Sequence, residues 1–277
     1  MAQAEPQHTQ TVEVTIDDET YQVDEDATVL EAATSNGIEV PTLCHMDGLA
    51  DTAACRMCLV ETGDGGDPVA ACSLPVEDGM TVETDTDRLR RSRKNTVELL
   101  LSENCADCLT CENRGGCELA ELAYEYDVDM DAYAGGGGRF EPMTDNPYFE
   151  LDHDKCILCG RCVQACDEVR HNSAIGFTGR GMETKVSPPL DRSLVDTECK
   201  FCGQCVDSCP TGALTAKDRI GAGRESDLET TSTICTYCGV GCRIEFKHRD
   251  GEIVDASIVD NPETAPANGN RMCVKGR

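Results

Sequence analysis

The stretch CILCGRCVQACD, residues 156–167, is repeated as CKFCGQCVDSCP at residues 199–210. Both runs space their cysteines C-x2-C-x2-C-x3-C. Cys156, Cys159, Cys162 and Cys166 therefore form one set of four thiols, and Cys199, Cys202, Cys205 and Cys209 a second. Loops this dense in thiols leave little room for an apolar core, so what the sulfurs bind decides the fold. Working outward, the other cysteines also fall into fours. Cys44, Cys55, Cys58 and Cys72 come first, then Cys105, Cys108, Cys111 and Cys117, and Cys235, Cys238, Cys242 and Cys273 come last. The 20 cysteines thus divide into five tetrads without remainder. Four thiolates per centre is the common requirement of iron–sulfur clusters. Zinc is the alternative, most of all for the first tetrad, although zinc sites favour two paired knuckles.

The composition agrees with a chain held together by metal. Of 277 residues only 39% are hydrophobic and 4% aromatic, and tryptophan is absent, so the apolar cores must be small. The N-terminal MAQAEPQHTQ lacks the basic and apolar regions of a secretion signal and has no twin arginine. No apolar run approaches the roughly 18 residues of a membrane span. The expectation is a soluble cytoplasmic chain with no membrane insertion, whose closely spaced cysteines are metal ligands rather than disulfides. A net charge of −28 repels nucleic acid and anionic membranes, so neither is expected as a partner. The basic residues comprise 7 lysines and 17 arginines. A dispersed acidic excess with few lysines suits a halophilic, salt-rich cytoplasm, where ions screen self-repulsion; the alternative is an acidic protein with a basic partner. One basic run, RLRRSRK at Arg88–Lys94, reads as the solvated face of an amphipathic helix, with partner docking as the alternative.

Along the chain, TVEVTIDDETYQV alternates apolar and polar residues around Asp17-Asp18 and predicts a β-hairpin. ATVLEAATSNG predicts a short helix with Val29, Leu30 and Ala33 on one side and Gly37 as its stop. LVET and the stretch around Pro68 to Val82 complete a small mixed domain, and a helix from about Asp87 to Ser102 follows. Residues 123–148 and the stretch DRIGAGRESDLE read as polar linkers. The segment AIGFTGRGMETKVSPPLDRSL between the repeated runs has the pattern of a hairpin. Domain boundaries are expected near 82, 123, 149 and 230.

Particular motifs resemble one group of redox proteins. PTLCH and CRMCLVE, around Cys44 and Cys55–Cys58, resemble the [2Fe–2S] domain that opens the complex I large subunit, cytoplasmic formate dehydrogenases and related hydrogenase subunits. SENCADCLTCENRGGCELAEL resembles their His-Cys [4Fe–4S] module, with a departure: Asn104 stands where the family has a histidine ligand, and Cys105 follows it. Cys105 is expected to be the fourth ligand, with a spare thiol as the alternative. The repeated runs resemble two-cluster ferredoxins, in which the fourth cysteine of each run ligates the other cluster. That resemblance implies one cluster on Cys156, Cys159, Cys162 and Cys209, and another on Cys199, Cys202, Cys205 and Cys166. Pro210 after Cys209 fits the motif; Asp167 after Cys166 does not. ICTYCGVGC and RMCVKGR resemble the opening [4Fe–4S] domain of molybdenum or tungsten bis-pterin oxidoreductases. In that family the lysine at the position of Lys275 lies between cluster and pterin.

The resemblance implies an α+β chain of small modules in series. These are a β-grasp [2Fe–2S] domain (1–82), a helical His-Cys-type module (83–122), a two-cluster ferredoxin (149–219) and the start of a bis-pterin-type domain (231–277). The implied cofactors are one [2Fe–2S] and four [4Fe–4S] clusters, with a Mo/W-bis-pterin guanine dinucleotide on a continuation or partner. The order of the five tetrads resembles a formate dehydrogenase of the NAD- or ferredoxin-linked kind. Its implied partners are a pterin-binding catalytic domain or subunit and a flavin/NAD-binding diaphorase subunit or ferredoxin. The rival is a stand-alone polyferredoxin or adaptor subunit of a hydrogenase or NADH dehydrogenase-type complex. On either reading the chain carries electrons and holds no catalytic residue of its own.

Overall fold

The computed structural model describes residues 10–63, 65–104, 108–109, 111, 113–133, 135, 138–259, 264–269 and 271–277. The chain forms two compact units, residues 1–45 with 51–96 and residues 46–50 with 97–277. In the first, β1 (Thr11–Ile16) and β2 (Glu19–Asp24) pair as the expected hairpin. Asp17 and Asp18 take positive φ (48° and 68°), the left-handed conformation of a tight two-residue hairpin turn that short polar side chains tolerate. Helix α1 (Val29–Ser35) is closed by a capping box: Thr28 Oγ1 accepts from the Glu31 amide at 3.2 Å, and the Glu31 carboxylate accepts from the Thr28 amide at 2.7 Å. Gly37, at φ 77°, ends it.

The strands β3 (Leu59–Thr62), β4 (Val69–Ala70) and β5 (Met80–Glu83) complete a five-stranded sheet in the order β2-β1-β5-β3-β4. β1 and β5 run parallel and the other pairs antiparallel, which is the β-grasp arrangement. Val14, Ile16, Val60 and Val82 from the sheet bury with Val29 and Ala33 from α1. Helix α2 (Asp87–Glu103) follows. Its basic run is only partly the solvated face that was expected. Arg88, Arg90 and Arg91 are exposed, but Arg93 is 2% exposed and donates to the carbonyls of Met57 (3.1 Å), Leu59 (2.9 Å) and Thr84 (2.8 Å). A guanidinium with five donors can satisfy several carbonyls at once, which makes its burial tolerable.

In the second unit, α3 (Glu118–Glu125) leads to β6 (Phe149–Leu151), which pairs antiparallel with β9 (Leu214–Ala216). That ladder joins the start and end of the repeated runs over a core of Phe149, Leu151, Ile175, Val186, Leu194 and Leu214. Each run ends in a one-turn helix, α4 (Arg161–Gln164) and α5 (Gln204–Asp207), and between them β7 (Gly176–Thr178) and β8 (Lys185–Ser187) form the expected hairpin. The last segment is an antiparallel sheet of β10 (Glu229–Ile234), β11 (Arg243–Arg249) and β12 (Glu252–Ser257). The stretch expected as a second polar linker is pinned in place. Arg219 is 6% exposed and donates to Gly223 O at 2.5 Å, and Glu225 pairs with Lys247 of β11 at 2.6 Å.

Candidate metal centres

The sequence repeat is also a repeat of backbone geometry. Leu158 and Phe201 both take positive φ (53° and 49°), and so do Gly160 and Gly203 (87° and 74°). These turns aim amides at sulfur: Leu158 N–H donates to Cys156 Sγ and Phe201 N–H to Cys199 Sγ, both at 3.4 Å. The fourth cysteines also match, with Ala174 N–H donating to Cys166 Sγ (3.3 Å) and Leu214 N–H to Cys209 Sγ (3.5 Å). Amides directed at sulfur stabilise negative charge there, as a cluster ligand requires.

The two sets of sulfurs are exchanged between the runs. One cavity is lined by Cys156, Cys159, Cys162 and Cys209, and another by Cys166, Cys199, Cys202 and Cys205. Without a bound metal these thiols hold their protons tightly. Burial pushes Cys156 up to about 11 and Cys159 to about 12, and carries Cys162 and Cys205 well above the usual thiol range. Asp167, the departure from the motif, accepts a 2.5 Å hydrogen bond from Ser173 Oγ, so a side chain holds the exit turn that proline shapes after Cys209.

In the first unit Cys44, Cys55, Cys58 and Cys72 are all buried. Cys55 hydrogen-bonds to Cys44, which draws Cys44 below the usual thiol range and pushes Cys55 above it. Burial, followed by the neighbouring Cys58, Asp51 and Cys44, raises Cys72 to about 12. At the other end Cys242 lies within the influence of Cys238, Cys235 and Cys273, and its pKa is raised by burial first. Asn268 ties the RMCVKGR loop to β11, accepting from Arg243 N–H at 2.8 Å and donating to Arg243 O at 3.1 Å. Lys275 Nζ stands 5.9 Å from the centroid of the Tyr237 ring, between Cys235 and Cys238 in sequence.

The second tetrad is described in part. Cys108, Cys111 and Cys117 line a cavity of about 300 Å³ together with Asn104, whose Nδ2 is buried and unpaired among the described residues. Cys105 lies outside the described residues. Lys155 and Thr211, neighbours of Cys156 and Cys209, border the same cavity, and Thr211 Oγ1 donates to Lys155 O at 2.5 Å. The two modules dock tightly here. Glu118 N–H donates to Pro210 O at 2.8 Å, Arg161 pairs with the Glu118 carboxylate at 2.6 Å, and a Cβ on Gly212 would meet Asn113 Cβ at 2.5 Å. Sequence reasoning missed these junction residues, because no spacing marks a pair formed between modules. Among the described residues no three His, Cys, Asp or Glu side chains converge closely enough to hold a single metal ion; the described sulfurs of the second, third and fourth tetrads line cavities instead.

Four family descriptions match in series. They are a 2Fe-2S iron-sulfur cluster binding domain (9–87), the NADH-ubiquinone oxidoreductase-G iron-sulfur binding region (93–131), the ferredoxin-like domain of NADH-quinone oxidoreductase subunit 3 (146–215) and the molybdopterin oxidoreductase Fe4S4 domain (228–277). A chain of the NAD+-reducing [NiFe]-hydrogenase in its H2-reduced state superposes with a TM-score of 0.68. It is 30% identical, over 76% of this chain and 88% of that one. This chain belongs to the iron–sulfur family that joins NADH-ubiquinone oxidoreductase-G with the NAD-reducing hydrogenases. Within that family it is 35% identical over 266 residues to the NADPH-Fe(3+) oxidoreductase subunit alpha of Geobacter sulfurreducens. It is also 31% identical over 245 residues to the mitochondrial NADH-ubiquinone oxidoreductase 78 kDa subunit of Candida albicans. The two alignments take in 96% and 88% of this chain but 31% and 34% of the relatives, so the chain spans about a third of the length of those curated relatives. Among the described residues no helix is long and apolar enough to cross a membrane.

Proposed function

We propose that this chain is a relay of five iron–sulfur clusters in an NAD(P)- or ferredoxin-linked oxidoreductase, serving a catalytic region of formate dehydrogenase type that carries a Mo/W-bis-pterin. The observation that carries the reading is the exchange of Cys166 and Cys209 between the two central cavities, the ligand pattern of two-cluster ferredoxins. The donor sets fit clusters: four buried thiols at Cys44, Cys55, Cys58 and Cys72, and thiols in fours or threes lining cavities in the second unit, with amides directed at sulfur. On this reading Cys44, Cys55, Cys58 and Cys72 hold a [2Fe–2S] cluster and the other four tetrads, Cys105 included, hold [4Fe–4S] clusters. Bound clusters supply one-electron storage, and the chain's own residues fix their spacing and their fields. Lys275, beside Tyr237, is the chain's contact toward the pterin. The acidic surface belongs to a salt-adapted protein.

Formate as substrate rests on the order of the modules. A second reading keeps the relay and replaces the pterin enzyme with a hydrogenase or NADH dehydrogenase-type complex; the curated relatives and the hydrogenase superposition favour it. Anaerobic purification of the full chain tests the relay itself, with about 18 irons expected from one [2Fe–2S] and four [4Fe–4S] clusters. Zinc in place of iron overturns it. The complex purified with its partner subunits then separates the two enzymes. Bleaching of the clusters by formate in a preparation containing Mo or W supports the first, and bleaching by NAD(P)H or H2 alone supports the second.

A further inference from the structure

From the segment carrying the fifth tetrad, Arg277 reaches back to residues that line one of the two central cavities. Arg277 forms an ion pair with Asp207, donates from Nε to Cys202 O at 3.4 Å, and places Nη1 4.0 Å from Asp255 of β12. Its guanidinium lies against the backbone of Gly203, where a Cβ would fall 1.9 Å from Nε, so glycine at this positive φ is also what admits the arginine. Both side chains are largely enclosed, at 12% and 4% exposed. Charges in such surroundings are felt more strongly than at a surface. The position of Asp207 in the first run is held by Gln164, which carries no charge, so the ion pair is built at one of the two repeats only.

We propose that Arg277 and Asp207 act as opposed electrostatic determinants of the reduction potential of the cluster held by Cys166, Cys199, Cys202 and Cys205. The proposal rests on the cluster ligation given under Proposed function. Reduction adds one electron to the cluster, so a neighbouring cation stabilises the reduced state and raises the potential, and a neighbouring carboxylate does the reverse. Both charges stand next to the ligands: Arg277 donates to the carbonyl of Cys202 itself, and its partner Asp207 lies in sequence two residues from Cys205. Arg277 comes from the fifth module and Asp207 from the ferredoxin module. Docking the two therefore sets the driving force for the electron that passes between them as well as their separation.

An EPR-monitored redox titration of the full chain, assembled anaerobically, tests the pair in the parent and in Arg277→Gln, Asp207→Asn, Arg277→Lys and the double variant. Cys202→Ser identifies the signal of this cluster, and Cys159→Ser identifies that of its neighbour as an internal control. The expected result is a negative shift in Arg277→Gln, a positive shift in Asp207→Asn, and values near the parent for Arg277→Lys and the double variant, with the Cys159-linked signal unmoved. Shifts of one sign in both single variants, or no shift in either, overturn the proposal, because a merely structural pair has no reason to give opposite signs. Should Arg277→Gln lose the cluster, a negative or absent shift in Asp207→Asn overturns it alone. A parent signal untouched by Cys202→Ser defeats the ligation and the proposal together, whereas assigned signals without opposed shifts defeat the charge pair only.

Discussion

At the scale of single residues, the side chains that decide most are those whose type contradicts their place. Arg93 is a cation inside a small apolar domain, and its three carbonyl partners lie at Met57 and Leu59, either side of Cys58, and at Thr84. Arg93→Met keeps the length and removes every donor, leaving buried carbonyls unpaired. The expected loss is about 2–4 kcal/mol, with release of the cluster at Cys44–Cys72 at a lower urea concentration, read from visible absorbance. Asn104 is a second such residue. With Cys105 as the fourth thiolate, Cys105→Ala lowers the iron content by about one [4Fe–4S] cluster, and adding Asn104→His, which supplies an imidazole in its place, restores it with a higher potential. An unchanged iron count in Cys105→Ala removes Cys105 from the ligand set.

At the scale of elements, much of the architecture was legible because it follows from local rules. The Asp17-Asp18 turn, the Thr28 and Glu31 cap, Gly37 as a stop and the hairpin at Gly176–Ser187 are each specified within a few residues, and each forms. The exchange of Cys166 and Cys209 was legible too, from a spacing that only one known arrangement explains well. The contents of the supposed linkers were not. Arg219, Glu225 and Arg277 look like ordinary surface charges in sequence; Arg219 is held by Gly223 four residues on, but Glu225 and Arg277 find partners far along the chain, at Lys247 and Asp207. The loop ahead of α4 carries a pH prediction of its own. Burial raises the free thiols of Cys156 and Cys159 to about 11 and 12, so a chain stripped of iron keeps them protonated at neutral pH. Ligation needs thiolates, and cluster assembly therefore releases protons and grows more favourable as pH rises. Reconstitution yield, followed by absorbance, is expected to climb between about pH 7 and 9; a flat or falling profile counts against buried thiols as the ligands.

At the scale of the whole molecule, the twenty thiols and the −28 charge act against each other. Metal holds small modules together locally, while 52 acidic residues against 24 basic ones push the surface apart. The ion pairs inside the second unit, such as Arg161 with Glu118 and Lys247 with Glu225, use up few of those carboxylates, and most of the excess is left to solvent ions. Screening shortens from roughly 10 Å at 0.1 M salt to 3 Å at 1 M, so repulsion between carboxylates on neighbouring modules falls steeply over that range. The enclosed pair of Arg277 with Asp207 is screened far less and keeps its contribution. Raising potassium chloride is therefore expected to stabilise the folded chain, the reverse of what a protein held by surface ion pairs would show. In a titration from 0.1 to 3 M, cluster retention and the midpoint of thermal unfolding should both increase, with the steepest gain below about 1 M. Full retention of clusters and structure at 0.1 M, with no gain on adding salt, would end the salt-adapted reading and leave the acidic surface to be explained by a basic partner.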